Sequence, residues 1–403
     1  MNRVKVAGIV IVLALVCISF NVQPAAANPS SRWDSLNTFM TNEYDTVEGG
    51  YSGVGFELAR LIPTYAAATI MEDRGLLAAR PPPIDLVKMK NFTRKIQWRA
   101  GGEDYDRYGA FAEFIAGPAT IETSYYGLKL WKLMLSHYDV PGMENVEINE
   151  TAVLVYVNKT QTESGGFGIH EGESPDIVST YYAIYVMTEM ITLINEPSEV
   201  NLDTWLWNLT ATTEWILSCR DGNGFKLSPE SNIVGVTATA AALLTLEILQ
   251  VDLPTGDLQS IQTWIIERQT TGNESAQFVG GFEEARFAND TNLLSTYHAL
   301  QALDLLSAIP SIDVPAAAEF ILNCQADDGA WGSVPDLSGG SLQNAAFAVE
   351  ALRILDETGT YSVMLNEEDP NNPQPPLIDW RIIVVIGIVV IATVVAYVSL
   401  RMD

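Results

Sequence analysis

"AAAEFILNCQADDGAWGSVPDLSGGSLQNAAFAVEALRILDE", residues 316–357, joins two apolar stretches through a loop that carries glycine and an aromatic residue. Before the loop, Phe320 and Ile321 begin the buried pair of a first helix. After it, Ala346, Val349, Leu352 and Leu355 fall at helical spacing on a second. Glycine ends the first helix and permits the turn, because a left-handed backbone costs it little. The stretch reads as a helical hairpin.

The same unit recurs along the chain. A glycine–aromatic step ends at Tyr51, Phe111, Phe167, Phe225, Phe282 and Trp331, at intervals of 60, 56, 58, 57 and 49 residues. A second landmark, Thr64, Ser124, Thr180, Thr239, Thr296 and Ala345, follows each step by 13 or 14 residues on an Ala- and Leu-rich stretch. A loop of fixed length in six copies implies one supersecondary unit whose stacked copies bury a continuous core. The second helices read alike: "TSYYGLKLWKLM" from Thr123, "STYYAIYVMTEM" from Ser179, "TATAAALLTLEIL" from Thr237 and "STYHALQALDLL" from Ser295. Asp176 and Asn292 stand four residues before the aligned threonine, in position to cap the second helix. Strand patterns are essentially absent, so the expected class is all-α, with six hairpins supplying twelve helices.

The two ends of the chain have other compositions. Arg3 and Lys5, an apolar run from Val6 to Phe20, and Ala25–Ala26–Ala27 before "NPS" predict a secretory signal peptide over 1–27. Near the other end, Ile382 to Leu400 carries no charge. It is bracketed by Arg381 and Arg401, with Trp380 and Tyr397 near its limits, as in a transmembrane helix. The expected order is a signal at 1–27, an ectodomain at 30–362, a Pro/Asn-rich acidic stalk at 363–380, a membrane helix at 381–400 and a cytoplasmic tail at 401–403. That order places the body outside the cytoplasm, on a single-pass anchor in the cell membrane. Sequons at Asn91, Asn149, Asn158, Asn208, Asn273 and Asn289 fit an exported glycoprotein.

Fifty acidic residues against 22 basic ones give a net charge of −28, which repels phosphate backbones and argues against nucleic acid as a partner. Cys219 and Cys324 occupy the same place in two units with one unit between them. Equivalent sites so far apart cannot be bridged, so both are expected to be buried free thiols.

The repeats resemble the β subunits of protein prenyltransferases and the squalene and hopene cyclases. The sharpest match is to the cyclases' glutamine–tryptophan pattern, here Phe320, Ile321, Gln325, Gly329 and Trp331. A weaker copy is Tyr156, Val157, Gln161, Gly165 and Phe167. The resemblance spans nearly the whole ectodomain and implies an α6/α6 toroid of six hairpins, whose second helices line a central cavity. It also implies isoprenoid chemistry, but the catalytic groups of those families do not carry over. Of the prenyltransferase zinc set, the Asp position holds Asp176 or Asn292 and the Cys position holds Val178 or Leu294. The His position holds Ser179, Ala238, Ser295 or Asn344. Without thiolate and imidazole, no metal or other cofactor is expected. The cyclases' Asp-x-Asp-Asp acid motif is missing; Asp104 and Asp106 belong to a connecting loop.

If the second helices face inward, Tyr65, Tyr125, Tyr126, Tyr181, Tyr182, Tyr297, His298 and Phe347 are the candidates to line the cavity. The opposing reading packs these rings between neighbouring helices as core. His298, the histidine on an inner helix, is the best lone candidate for proton transfer, against a core histidine standing where other repeats have Tyr or Phe. His170, among Glu171, Glu173 and Asp176, is too weak a pattern for a metal site. Three functions remain open: an anchored module binding an apolar or isoprenoid-like ligand or a peptide, an isoprenoid-handling enzyme with rearranged catalytic groups, and a scaffold for a surface protein partner.

Overall fold

The structure is a computed structural model. It describes residues 31–356 and 364–370, apart from 80, 103–104, 138–139, 144–145, 196–207, 273–274, 287, 289 and 368. The expected signal peptide and membrane helix lie outside the described residues, as do Asn273, Asn289 and the expected stalk apart from 364–367 and 369–370. The described helices belong to one compact unit, Arg32–Glu367.

Twelve α-helices are described, in two alternating sets. The first helices are α1 (Arg32–Glu43), α3 (Leu86–Lys95), α5 (Glu150–Lys159), α7 (Leu209–Ser218), α9 (Thr255–Ile266) and α11 (Val314–Asn323). The second helices are α2 (Leu61–Asp73), α4 (Ile121–Leu135), α6 (Ile177–Asn195), α8 (Val236–Ile248), α10 (Leu293–Leu305) and α12 (Leu342–Leu355). The second set packs side by side in the order α2, α4, α6, α8, α10, α12, and α12 returns to α2, so the ring closes. Buried alanines allow these helices to approach: Ala66 to Ala68, Ala240 to Ala242, Ala299, Ala302, Ala348 and Ala351 are 5% exposed or less. By length and composition Ile177–Ile194 of α6 could cross a membrane, but half of it is buried and it packs between α4 and α8.

The constant loop length has a local cause. In five of the six copies the backbone N–H of the aromatic landmark donates to the hydroxyl of the second landmark. Tyr51 bonds Thr64 at 2.8 Å, Phe111 bonds Ser124 at 3.2 Å, and Phe167 and Phe225 bond Thr180 and Thr239 at 3.0 Å; Phe282 bonds Thr296 at 2.9 Å. These hydroxyls are buried, so a connection that failed to bring the two landmarks together would leave a donor unpaired; spacings of 13 and of 14 residues both satisfy it. The sixth copy has Ala345 and lacks this bond.

In four of the units a glutamine ties the unit to the next. Gln325 Nε2 donates to the Arg32 and Gly329 carbonyls, both at 3.0 Å. Gln97, Gln161 and Gln269 reach in the same way to the carbonyls of Asn149, Asn208 and Asp313, the residues that cap the following helices. Gln325 thus fastens the last unit onto α1, the first. Glycine makes the same junction on the backbone side. Gly109, Gly165, Gly280 and Gly329 have φ of 93°, 99°, 93° and 91°, and each lies against the backbone of the next first helix.

The connections are less strand-free than expected. Tyr44–Asp45 pairs with Gly50–Tyr51, and Arg220–Asp221, Gly224–Lys226 and Val234–Gly235 form three short antiparallel strands. Strands of two or three residues carry no period-2 signal to read in the sequence. Cys219 and Cys324 are free and buried.

Candidate functional site

The first residue of a second helix donates its N–H to the connection of the following unit. Leu61 bonds Glu113, Ile121 bonds Ile169, Ile177 bonds Leu227, Val236 bonds Glu284 and Leu293 bonds Ser333, all at 2.7–2.9 Å. In each case the acceptor stands two residues past the aromatic landmark, so the connections form a collar at the amino-terminal ends of the second helices. The collar is studded with exposed apolar side chains, among them Phe56, Ile115, Ile169, Leu227 and Leu337 from the connections and Leu294 from the first turn of α10.

Below the collar lies a cavity of about 370 Å³. Tyr65, Tyr125, Tyr126, Tyr181, Tyr182, Tyr297, His298 and Phe347 all line it, so the structure brings together the side chains that the repeat register selects. Four of them, Tyr65, Tyr125, Tyr126 and Tyr297, are also at most 8% exposed, so the rings serve as wall and as core together. Tyr125 stacks on Tyr182 at 4.5 Å and meets Tyr126 edge-on at 5.1 Å. Tyr297 stacks on Phe347 at 4.9 Å. The α8 wall is different: it supplies Thr237, Ala241 and Leu244, and these smaller side chains leave the space open.

Several polar groups of this site escape a reading based on the aromatic register alone. Lys129 and Gln301 each follow an aligned tyrosine by four residues, one helical turn, on the same face. Glu350 follows Phe347 by three. Lys129 Nζ donates to the Tyr125 hydroxyl at 3.3 Å. The Tyr297 hydroxyl donates to Glu350 and accepts from Gln301 Nε2 at 2.8 Å. Tyr65, Lys129 and Glu350 also border a second space of about 410 Å³, lined by Glu72, Asp73, Lys132 and Arg353 near the carboxy-terminal ends of the second helices. These three side chains stand between the two chambers.

His298 bonds Gln301 Oε1 through Nδ1 at 3.0 Å, and burial pushes its pKa down to about 4 although that bond works the other way. At neutral pH the imidazole is uncharged. Because the unfolded chain protonates near 6.5 and the folded one near 4, the unfolded state binds more protons in that window and stability falls as pH drops through it. The loss is expected to reach at most ~3 kcal/mol. Urea midpoints at pH 7 and pH 5 should diverge less for His298→Gln than for the unmodified protein. Equal divergence would mean that the imidazole takes up its proton freely.

Other candidates do not join the site. His170 is exposed, 4.0 Å from Glu173, and His137 pairs with Glu72 at 2.9 Å. Asp106 is exposed in its connection, and Asp104 lies outside the described residues. Asn149 and Asn208 accept backbone N–H bonds from Ala152 and Ala211 as helix caps. Asn91 and Asn158 lie within α3 and α5.

The sequence profile of the prenyltransferase alpha-alpha toroid domain matches residues 120–211 and 203–380. The chain belongs to this family. Over 148 residues it is 27% identical to the geranylgeranyl transferase type-1 subunit beta of Arabidopsis thaliana, a match covering 36% of this chain and 36% of that relative. In fold it is similar to the Candida albicans protein geranylgeranyltransferase-I complexed with GGPP, at a TM-score of 0.56 and 16% identity. That likeness covers 76% of this toroid chain and 88% of the other. A type II terpene cyclase from Scytonema aligns at a TM-score of 0.49 and 10% identity, over 83% of this chain and 97% of that one.

The zinc of prenyltransferases does not fit the residues this toroid offers. The Asp176 carboxylate is engaged as a cap, accepting from the Val178 and Ser179 N–H groups at 2.9 and 2.8 Å and from the Ser179 hydroxyl at 2.6 Å. Asn292 likewise accepts from the Ser295 N–H at 2.9 Å. Val178 and Leu294, where thiolates would be needed, present only carbon to the cavity.

Proposed function

We propose that this chain is an exported, membrane-anchored toroid of six repeated hairpins that holds an apolar, isoprenoid-like ligand without zinc chemistry. The observation that carries the reading is the convergence of aromatic side chains from α2, α4, α6, α10 and α12 on one cavity whose mouth is ringed by exposed apolar side chains. A space of about 370 Å³ suits a small apolar molecule. The GGPP held by the Candida albicans protein supports an isoprenoid over a peptide as the occupant. Export and anchoring rest on the apolar run after Arg3 and Lys5 and on the charge-free stretch between Arg381 and Arg401.

Titration of the purified protein with geranylgeraniol, followed by tyrosine fluorescence and calorimetry, should show one saturable site. Tyr181 lines the cavity and is only half-buried, so Tyr181→Ala should weaken binding by about 1–3 kcal/mol. It should destabilise the fold less than Leu352→Ala, which empties a position with no exposure. No binding to the unmodified protein, together with equal destabilisation by the two changes, would make the rings core and return the toroid to the role of a scaffold.

A further inference from the structure

The cavity contains a cation of its own. Lys129 Nζ lies 5.1 Å from the ring centroids of both Tyr65 and Tyr125, where a bound cation would be attracted by their faces. Burial opposes the charge, but the Tyr65 hydroxyl, the Glu350 carboxylate and Tyr297 outweigh it, and the Lys129 pKa lies well above that of free lysine. The ammonium is therefore retained.

We propose that Lys129 determines the specificity of the cavity by occupying its aromatic cation site, so that neutral or anionic apolar ligands enter and cationic ones are rejected. The inference rests on the cavity being a ligand site, as argued above. A second cation entering this space would meet tyrosine faces already engaged and a like charge close by, in surroundings that screen poorly. The carboxylates facing the cavity offer little in exchange. Glu350 accepts from Tyr297 and stands beside Lys129 at the floor. Glu122 lies at the mouth, and burial together with the Asp176 carboxylate raises its pKa, so it ionises less readily than an ordinary glutamate. His298 on the opposite wall is neutral at pH 7. An anionic or hydroxyl head, by contrast, finds at the inner end of an apolar chamber an ammonium that donates to the Tyr125 hydroxyl and has three N–H groups in all.

The test uses three probes with one farnesyl chain and different heads: farnesol, farnesoic acid and farnesyl-trimethylammonium. The unmodified protein should bind the acid and the alcohol at least about tenfold more tightly than the ammonium. Lys129→Met keeps the length of the side chain and removes the charge. It should improve ammonium binding by about tenfold or more and weaken acid binding by a similar factor. Lys129→Arg should keep the original order, and Lys129→Gln substitutes if the methionine variant does not fold. Equal binding of ammonium and alcohol by the unmodified protein would overturn the proposal, as would an unchanged order in the uncharged variants. If no probe binds the unmodified protein but the methionine variant takes up the ammonium, Lys129 is confirmed as the occupant of the site and the isoprenoid reading fails. If nothing binds either protein, both fail.

Discussion

Gly165→Ala is expected to destabilise the fold by about 2–5 kcal/mol, enough to remove much of the stability of an ordinary domain. Two independent effects add. The backbone at Gly165 has φ of 99°, which a residue with a Cβ adopts only under strain. A Cβ there would also run into the Ala211 carbonyl on the first turn of α7, which is backbone and cannot rotate away. Gly172 separates the two effects, since it has φ of 84° but nothing within 4 Å of the place a Cβ would take. Gly172→Ala should therefore cost only the conformational part, about 1–2 kcal/mol. Chemical denaturation of both variants measures the difference. Equal losses would show that the junction between units yields, and that the approach of loop to helix is not what holds neighbouring hairpins together.

Trp331→Ala is expected to cost about 3–5 kcal/mol, from lost burial and the cavity left behind. The indole has no exposure, and its Nε1 donates to the Ile321 carbonyl at 2.8 Å. It lies in the unit that Gln325 fastens to Arg32, so the damage falls where the ring closes. Trp331→Phe installs the residue found at most of the other landmarks, including Phe167 and Phe282, and should lose only about 1–2 kcal/mol. A thermal melt compares the two directly. If both variants melt together well below the unmodified protein, the indole hydrogen bond matters more than the volume of the ring.

The cavity was legible to the extent that it follows the repeat. Once Thr180 and Thr296 are aligned, the next two residues of each second helix must face alike, and Tyr181, Tyr182, Tyr297 and His298 follow from that register. Lys129, Gln301 and Glu350 lie on the same face, one turn further along, but they differ from unit to unit. Recurrence marks only what recurs, and these side chains do not. Gln97 and Gln269 escaped for another reason. Their role depends on the helix cap of the following unit, some 44 to 52 residues away, and no local pattern marks the pair.

The sequence by itself determined the hairpin, its number of helices and the length of its loops, because each is enforced between residues close in the chain. The hydroxyl at Thr180 must meet the N–H of Phe167 whatever surrounds them, and Asp176 can cap a helix with no help from another unit. Only the tertiary structure decided what the ring encloses. Tyr65 and Glu350 come to flank Lys129 because α12 returns to pack on α2, and closure of that kind joins the two ends of the fold. The opening along α8 is likewise a tertiary result. Thr237, Ala241 and Leu244 read as ordinary small residues of a buried helix until their larger counterparts stand opposite them, and the difference in volume becomes the open space of the cavity.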